Sequence, residues 1–548
     1  LFEQRLKSSN EPLGRFALAN TVGGALLAWG IVLGLGLVVV GVRWRVAKPT
    51  DGVGWIEGAG WGAATVLVLY CLLLTKSRTA VVGLAAAGVL WAARLALQKS
   101  ADRKRILRWV AAILLFGLVV AGAAVVSGGW DQMVVAEAPK SLRYRWEYWL
   151  GTWQIIVRHP VFGAGPGNFR QWYLHFKLPE SSEEIADPHN LFLDAWSQGG
   201  IIALIGLLLV CTLVLRRALG IDAPPQPVPT PQREQWLRST DALWNTWPRA
   251  GAVGGVLAFG GVFLAEGGYG LLIPVLGAVW LLLRWYGNQL GRLIGAKAAV
   301  FSLAAAALLV HLLGAGGINM PAIAQLLWLM MLLATPGPVP GRAPTGAPIV
   351  VWGPALAAAA LFLGCFFSTT RPVIASKLEV DQGNLASTPD ARVRHYREAA
   401  LADPLASEPW QLLAGAEFQI WHVLGGNDDR WFAQAVADQQ QAIERDPENF
   451  SVYRSLGMFY WQRFQKTHAK EDAEQATMAF GAAVARYPNR SSLQAEWAEA
   501  LAGAGHADRA RQAALRALDL NVVNRFAGHS DKYLPETVVQ QMEKLARP

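Results

Sequence analysis

Three side chains have the type and setting for polar chemistry at the edge of apolar segments. They are Arg78 in Leu74-Thr-Lys-Ser-Arg-Thr-Ala80, Arg145 in Leu142-Arg-Tyr-Arg-Trp-Glu-Tyr-Trp149, and His189 in Asp187-Pro-His-Asn190. A guanidinium is a planar, permanently charged fork that binds phosphate or diphosphate through parallel N–H donors. Leu142, Trp146, Trp149 and Trp153 share one stripe at helical spacing, which places Arg145 on an aromatic-rich helix suited to the headgroup level of a membrane. An anion-binding fork and an interfacial anchor both fit that pattern. Arg78 and Lys76 occupy a very short turn between two apolar runs, where either an anionic headgroup or snorkelling of their stems accounts for them. The imidazole of His189 can take a proton from an attacking hydroxyl or, when protonated, bind an oxyanion, although a lone loop histidine often does neither. Asp187, His189 and Asp194 carry metal-ligand atoms, but their spacing matches no ligand pattern, and no metal site is expected. Gly163-Ala-Gly-Pro-Gly-Asn-Phe169 lacks the spacing and the preceding strand of a dinucleotide fingerprint, so it reads as a turn that redirects the chain after Pro160.

The elements that must position these residues are mostly apolar helices. Over 548 residues the chain is 53% hydrophobic and only 16% charged, with a mean hydropathy of +0.27. These averages combine a greasy part up to about Thr370 with a polar, periodic part after it. Runs near bilayer length are expected at Asn20 to Val42, Gly58 to Leu74, Thr79 to Leu97, Leu107 to Ser127, Gly199 to Leu215, Ala250 to Ala265, Tyr269 to Leu283, Ala298 to Gly314, Ile318 to Ala334 and Val351 to Thr370. The pair flanking Glu266 is short and Gly-rich, and could be re-entrant. Lys/Arg-rich connections around Arg43 to Lys48, Arg94 to Arg108, Arg216 to Arg238, Arg284 to Lys297 and Arg342 fall on one side, which assigns that side to the cytoplasm. The loop 128–198 and the C-terminal part then face the exterior or periplasm. The net charge of +9 follows from these flanking cations, so nucleic-acid binding is not expected. Cys71, Cys211 and Cys365 all lie in apolar runs, which leaves no disulfide or metal pattern elsewhere.

From about Val380 the pattern becomes paired helices. Pro404, Pro447 and Pro488 recur at spacings of 43 and 41. Helices that end on proline and restart with small and aromatic residues resemble tetratricopeptide repeats lengthened beyond their usual period of about 34. Such stacks commonly bind a protein partner on a concave face, although a folded cap with no ligand accounts for the same pattern. The fold class expected is therefore all-α: a polytopic membrane domain at 1–377 and a soluble helical-repeat domain at 378–548.

At its polar loop the chain resembles the O-antigen ligase and polymerase family of bacterial membrane glycosyltransferases. The resemblance rests on Arg145 four residues before Trp149, His159-Pro-Val-Phe-Gly163-Ala-Gly165 running to Phe169, His189-Asn190 ahead of Gly199-Gly200, and the Ser77-Arg78-Thr79 turn. Gly14-Arg-Phe16 with Asn20 is a weaker match, departing from the family pattern at Leu18 and Gly23. Because relatives carry further spans before that segment, the resemblance implies that the chain, which begins at Leu1, is N-terminally incomplete. It also implies transfer of a glycan from a polyprenyl diphosphate carrier to an acceptor hydroxyl on the outer face of the inner membrane. The acceptor would be a lipid, a polysaccharide or a protein, and no cofactor is implied. Arg78, Arg145 and His189 would be catalytic. Arg143, Arg15 and Lys76 would line the same anionic pocket, while Trp149, Trp172 and Tyr173 would stack on sugar rings. Readings of a different class are a lipid-linked glycan transporter and an envelope scaffold.

Overall fold

The structure is a computed structural model that describes residues 19–46, 52–97, 138–181, 183–221, 298–334, 363–426 and 428–547, with a few more positions between 357 and 361. The described residues form helices and turns, as expected for an all-α chain. The expected spans at Leu107 to Ser127, Ala250 to Ala265 and Tyr269 to Leu283 lie outside the described residues, as does Arg15. The chain divides into two compact units, one of residues 1–145 with 187–343 and the other of 146–186 with 344–548. This division differs from a single cut near residue 377, because much of the polar loop belongs to the same unit as the C-terminal helices.

The first unit is built from α1 (Ala19–Val46), α2 (Gly52–Leu74), α3 (Arg78–Leu97), the start of α4 (Ala138–Arg158), α6 (Leu191–Leu219), α7 (Ala298–Leu312) and α8 (Pro321–Leu333). The intervening helix α5 (Phe169–Phe176) belongs to the second unit. Apolar windows at Asn20–Leu37 and Leu191–Leu219 are long enough to cross a membrane, and shorter apolar helices run Ala59–Leu74, Ala299–Leu312 and Ala322–Leu333. Helix α7 is apolar on every side and packs against α1, α3, α6 and α8, burying Leu303, Ala304, Ala305, Ala307 and Leu308. Small residues permit the close approach: a methyl group on Gly83 would lie 2.6 Å from Leu27 Cδ2 and 2.8 Å from the Ala307 carbonyl oxygen.

Helix α6 begins at Leu191 and not at Gly199, because Asn190 caps it. The Asn190 side-chain oxygen accepts from the backbone N–H groups of Phe192 and Leu193, at 3.0 and 3.2 Å. The Gly-Gly pair that interrupts the apolar pattern becomes a kink inside the helix, with Gly200 at φ 70°. At the other end Gly220 adopts φ 74°, and Arg94 from α3 donates to the carbonyls of Arg217 (2.9 Å) and Ala218 (3.1 Å), so a cation covers the negative end of the helix dipole.

The second unit contains the remainder of α4, then α5, and the helices α9 (Arg371–Leu385), α10 (Pro389–Ala402), α11 (Ser407–Val423), α12 (Asp429–Arg445), α13 (Phe450–Thr467), α14 (Lys470–Arg486), α15 (Ser491–Gly503), α16 (Ala507–Ala527) and α17 (Glu536–Ala546). Successive helices pack as hairpins, chiefly α9 with α10, α11 with α12, α13 with α14 and α15 with α16. The prolines mark the breaks: Asp403, Asp446 and Tyr487 each leave the helical region, at ψ 86°, 70° and 73°, ahead of Pro404, Pro447 and Pro488. A structural repeat accompanies them. Arg445 at the end of α12 stacks 4.7 Å over Trp410 and donates to the Pro404 carbonyl, while Arg486 at the end of α14 stacks 3.9 Å over Tyr453 and donates to the Pro447 carbonyl. The loop helix α5 packs on α14.

Candidate active site

In the first unit the polar residues converge on Gly314-Ala-Gly-Gly317, the link between α7 and α8. A methyl group on Gly314 would meet Thr79 Cγ2 at 2.9 Å and Arg145 Nη1 at 3.5 Å. On Gly316 it would meet His189 Nδ1 at 2.5 Å and the two Asp187 carboxylate oxygens at 2.6 and 2.8 Å. Gly317, at φ 118°, faces Thr21 of α1. Segments distant in the sequence therefore press against one glycine-rich backbone, and a side chain at Gly316 would displace them.

His189 is held from two directions. Its backbone N–H and its ring Nδ1 both point at Asp187 Oδ1, at 2.8 and 2.7 Å. An ionised carboxylate can only accept, so Nδ1 carries a hydrogen, and in the neutral ring the lone pair is then on Nε2. The backbone of His189 takes φ 53°, an αL geometry that costs energy for a residue with a Cβ and turns the ring back over its own loop. Burial alone would raise the Asp187 carboxyl, but the hydrogen bonds from His189 outweigh it and hold Asp187 below its usual range. Next along the chain, Asn190 donates from Nδ2 to the Leu313 carbonyl at 3.0 Å, tying the loop to the end of α7. Asp194 is buried one turn into α6 and accepts from Gln198 at 2.6 Å. Asp187, Asn190, Asp194, Leu312, Ala315 and Gly316 border a small cleft.

The Ser77-Arg78-Thr79 turn lies on the same side of the unit. Lys76 adopts φ 51° and is exposed, while Thr75 and Ser77 are buried. Thr75 Oγ1 accepts from the Ser77 N–H at 3.3 Å, and Gly23 of α1 has no room for a side chain against Ser77 and Thr75. These contacts fix the start of α3, and with it Arg78 and Thr79.

The expected site residues separate into two groups. Arg78, Lys76, Arg143, Arg145 and His189 belong to the first unit, where Arg145 and His189 reach the same glycine-rich link. Trp149, Trp172 and Tyr173 belong to the second. Tyr173 does not suit the role of a sugar platform. It is fully buried, stacked on Phe169 with ring centroids 5.7 Å apart, and its hydroxyl meets Ser181 Oγ at 3.2 Å, so it is part of a core. Trp172 is half-buried with its ring 4.4 Å from that of His159. The glycines at 163, 165 and 167 all take positive φ, which makes this stretch a turn as the sequence suggested.

Residues 63–208 match the family model for O-antigen ligase. The matched region runs from within α2 to within α6, and it contains Arg78, Arg145, Asp187 and His189 while leaving out Gly314 to Gly317. The match supports a glycan-transfer role of the ligase or polymerase kind, and membrane association. No curated protein matches the chain.

The sequence reading missed three contributors. Gly314 to Gly317 read only as a connection between apolar runs, although three glycines in four residues signal a close backbone approach. Asp187 was weighed only as a metal ligand. His311, a single imidazole inside an apolar run, is 1% exposed and lies on Gly24 of α1, where a methyl group would meet its ring at 2.8 Å.

Proposed function

We propose that the chain transfers a glycan from a polyprenyl diphosphate carrier to an acceptor hydroxyl at the outer face of the bacterial inner membrane, as an O-antigen ligase does. The observation that carries this reading is the convergence of Arg145 and the Asp187–His189 pair on one backbone segment, the Gly314–Gly317 link. The acceptor O–H attacks the anomeric carbon of the donor, the bond from that carbon to the diphosphate oxygen breaks, and the hydroxyl proton passes to His189 Nε2. Asp187 stabilises the imidazolium that results. The carrier diphosphate leaves with the bonding electrons, and Arg145 and Arg78 offset its developing charge. Arg143 and Lys76 add positive potential nearby, and no metal takes part in this scheme. Polymerisation of a polysaccharide and glycosylation of a protein use the same step with another acceptor. The hairpin stack of the second unit, read as a tetratricopeptide-like domain, faces the periplasm and serves to dock a protein partner.

The test is transfer in detergent or vesicles with a polyprenyl-diphosphate-linked glycan as donor, following carrier release with EDTA present. His189→Ala is expected to lower turnover ~10²–10⁴-fold, the contribution of a positioned base. Arg145→Ala is expected to lower it ~10²–10³-fold. Undiminished release in folded variants would remove both residues from the mechanism, and loss of release with EDTA in the wild type would remove the metal-free scheme.

A further inference from the structure

We propose that the second unit contains an oxyanion-binding site formed by Lys177, His529 and Lys532, suited to a phosphate group and separate from the transfer chemistry above. Its two halves come from distant parts of the chain. Lys177 follows α5 and is 2% exposed, with Nζ donating to the Ser181 carbonyl at 2.5 Å and lying 5.7 Å from the Tyr487 ring centre. The other half is the link between α16 and α17. Gly528 ends α16 at φ 75°, His529 is 7% exposed, and a single 3-10 turn spans Ser530–Lys532.

That link is tied down in several places. The Lys532 carbonyl accepts from Ser491 Oγ at 3.2 Å and from Asn524 Nδ2 at 3.3 Å, and the Leu534 N–H donates to Asn521 Oδ1 at 2.9 Å. The same helix start holds both halves: Asn489 Nδ2 donates to the Lys177 carbonyl at 2.7 Å, two residues before the Ser491 that donates to the Lys532 carbonyl, so the two lysines are anchored side by side at the start of α15. Two ammonium groups cannot satisfy one another, since each has donors only. Among the described residues, Lys532 Nζ is buried without an acceptor, and His529 Nδ1 is likewise buried without a partner. Buried polar atoms are nearly always paired, so two orphans beside a third buried cation point to a missing acceptor.

The acidic groups nearby do not fill that role. Glu184 already accepts from the Tyr487 hydroxyl at 3.2 Å and from Arg170 at 3.2 Å, and it lies 3.9 Å from Arg490. Asp531 belongs to the exposed side of the turn. Burial and the neighbouring Lys532 push the Lys177 ammonium down to about 7, and burial with Lys532 and Lys177 also lowers His529. This unsettled charge is what a bound anion would relieve. A tetrahedral oxyanion offers several acceptor oxygens at once, which matches two ammonium groups and an imidazole N–H better than a single halide does. Access is from the exposed Ser530–Asp531 side of the turn.

The test uses the purified full chain in detergent, with thermal unfolding followed in sodium phosphate and in sodium chloride of matched ionic strength. Phosphate at tenfold excess over its Kd is expected to raise the unfolding temperature of the second unit by about 3–5 °C, and chloride to leave it unchanged. Lys532→Gln should abolish the phosphate response and should raise the unfolding temperature in phosphate-free buffer, because it removes a like charge. Glycerol 3-phosphate forms the second arm. A response equal to that of inorganic phosphate assigns the site to a phosphoryl group on a larger molecule, and a response to inorganic phosphate alone assigns it to the free ion. No phosphate response in the wild type, or an equal response in Lys532→Gln, would overturn the proposal. Because no transfer activity is read, these results are independent of the glycan-transfer reading.

Discussion

The two units bury polar groups by different means. In the first, side chains are brought together by backbone: Gly23, Gly24, Gly314 and Gly316 let the Ser77–Thr79 turn, His311 and the Asp187–His189 pair approach main chain more closely than a Cβ would allow, with Arg145 beside Gly314. In the second, side chains pack on side chains. Arg445 and Arg486 lie flat on Trp410 and Tyr453, Phe418 stacks on Phe459 at 4.3 Å between centroids, and Arg397 meets the buried Glu417 at 2.7 Å. The lesson is one of tolerance. The glycine main chain that receives these side chains cannot move aside as a long side chain can, so the first unit should respond to single changes through activity. The second, with long side chains that can shift, should respond through stability.

The largest expected effect tests the first half of that contrast. Asp187→Ala removes the acceptor of both His189 hydrogen bonds and is expected to lower transfer turnover about 10²-fold or more. Asp187→Asn keeps one acceptor oxygen and should retain intermediate activity, a graded rescue that a purely structural role would not give. Gly316→Ala, whose new methyl would sit on both partners, should match the alanine variant in turnover while the donor KM stays near its original value. If Gly316→Ala is as active as the wild type, the close approach does not set the geometry of the site.

A smaller effect is expected in the second unit. Arg486→Gln removes the stacking on Tyr453 and the hydrogen bond to the Pro447 carbonyl, and should cost about 1–2 kcal/mol in unfolding free energy without changing transfer turnover. A loss of turnover greater than the loss of folded protein would break the contrast. The smallest effect is a pH dependence. Lys177 titrates near 7 in the folded unit, well below its value in the unfolded chain. Between pH 7 and about 10 the unfolded state therefore binds more protons, and stability rises with pH across that window. Thermal unfolding in phosphate-free buffer should shift upward by a few degrees from pH 7 to pH 9. The shift should shrink in Lys532→Gln.

Much of the helix content was legible because burial imposes periodicity on neighbouring residues. The apolar runs at Asn20, Gly58, Thr79, Ala298 and Ile318 fall in helices of the first unit, and the prolines at 404, 447 and 488 fall between helices of the second. Where the pattern misled, a local interaction had overridden it: Asn190 starts α6 eight residues ahead of its apolar run, and Tyr173 turned inward although aromatic residues in a polar loop suggest a surface.

Sequence by itself determined the all-α character of the described residues and the greasy and polar halves, since residue type and local spacing carry that information, while Arg78, Arg145 and His189 stood out as candidates through the family resemblance. Only tertiary structure decided that Asp187 orients His189, that Gly314 to Gly317 gathers the candidate site, that residues 146–186 share a unit with the C-terminal helices, and that Lys177 and Lys532 are both anchored at the start of α15. The physical reason is separation along the chain. Periodicity records which face of one helix is buried, whereas the meeting of Gly316 with Asp187, or the anchoring of Lys532 beside Lys177, depends on how whole helices pack and leaves no regular mark in either segment.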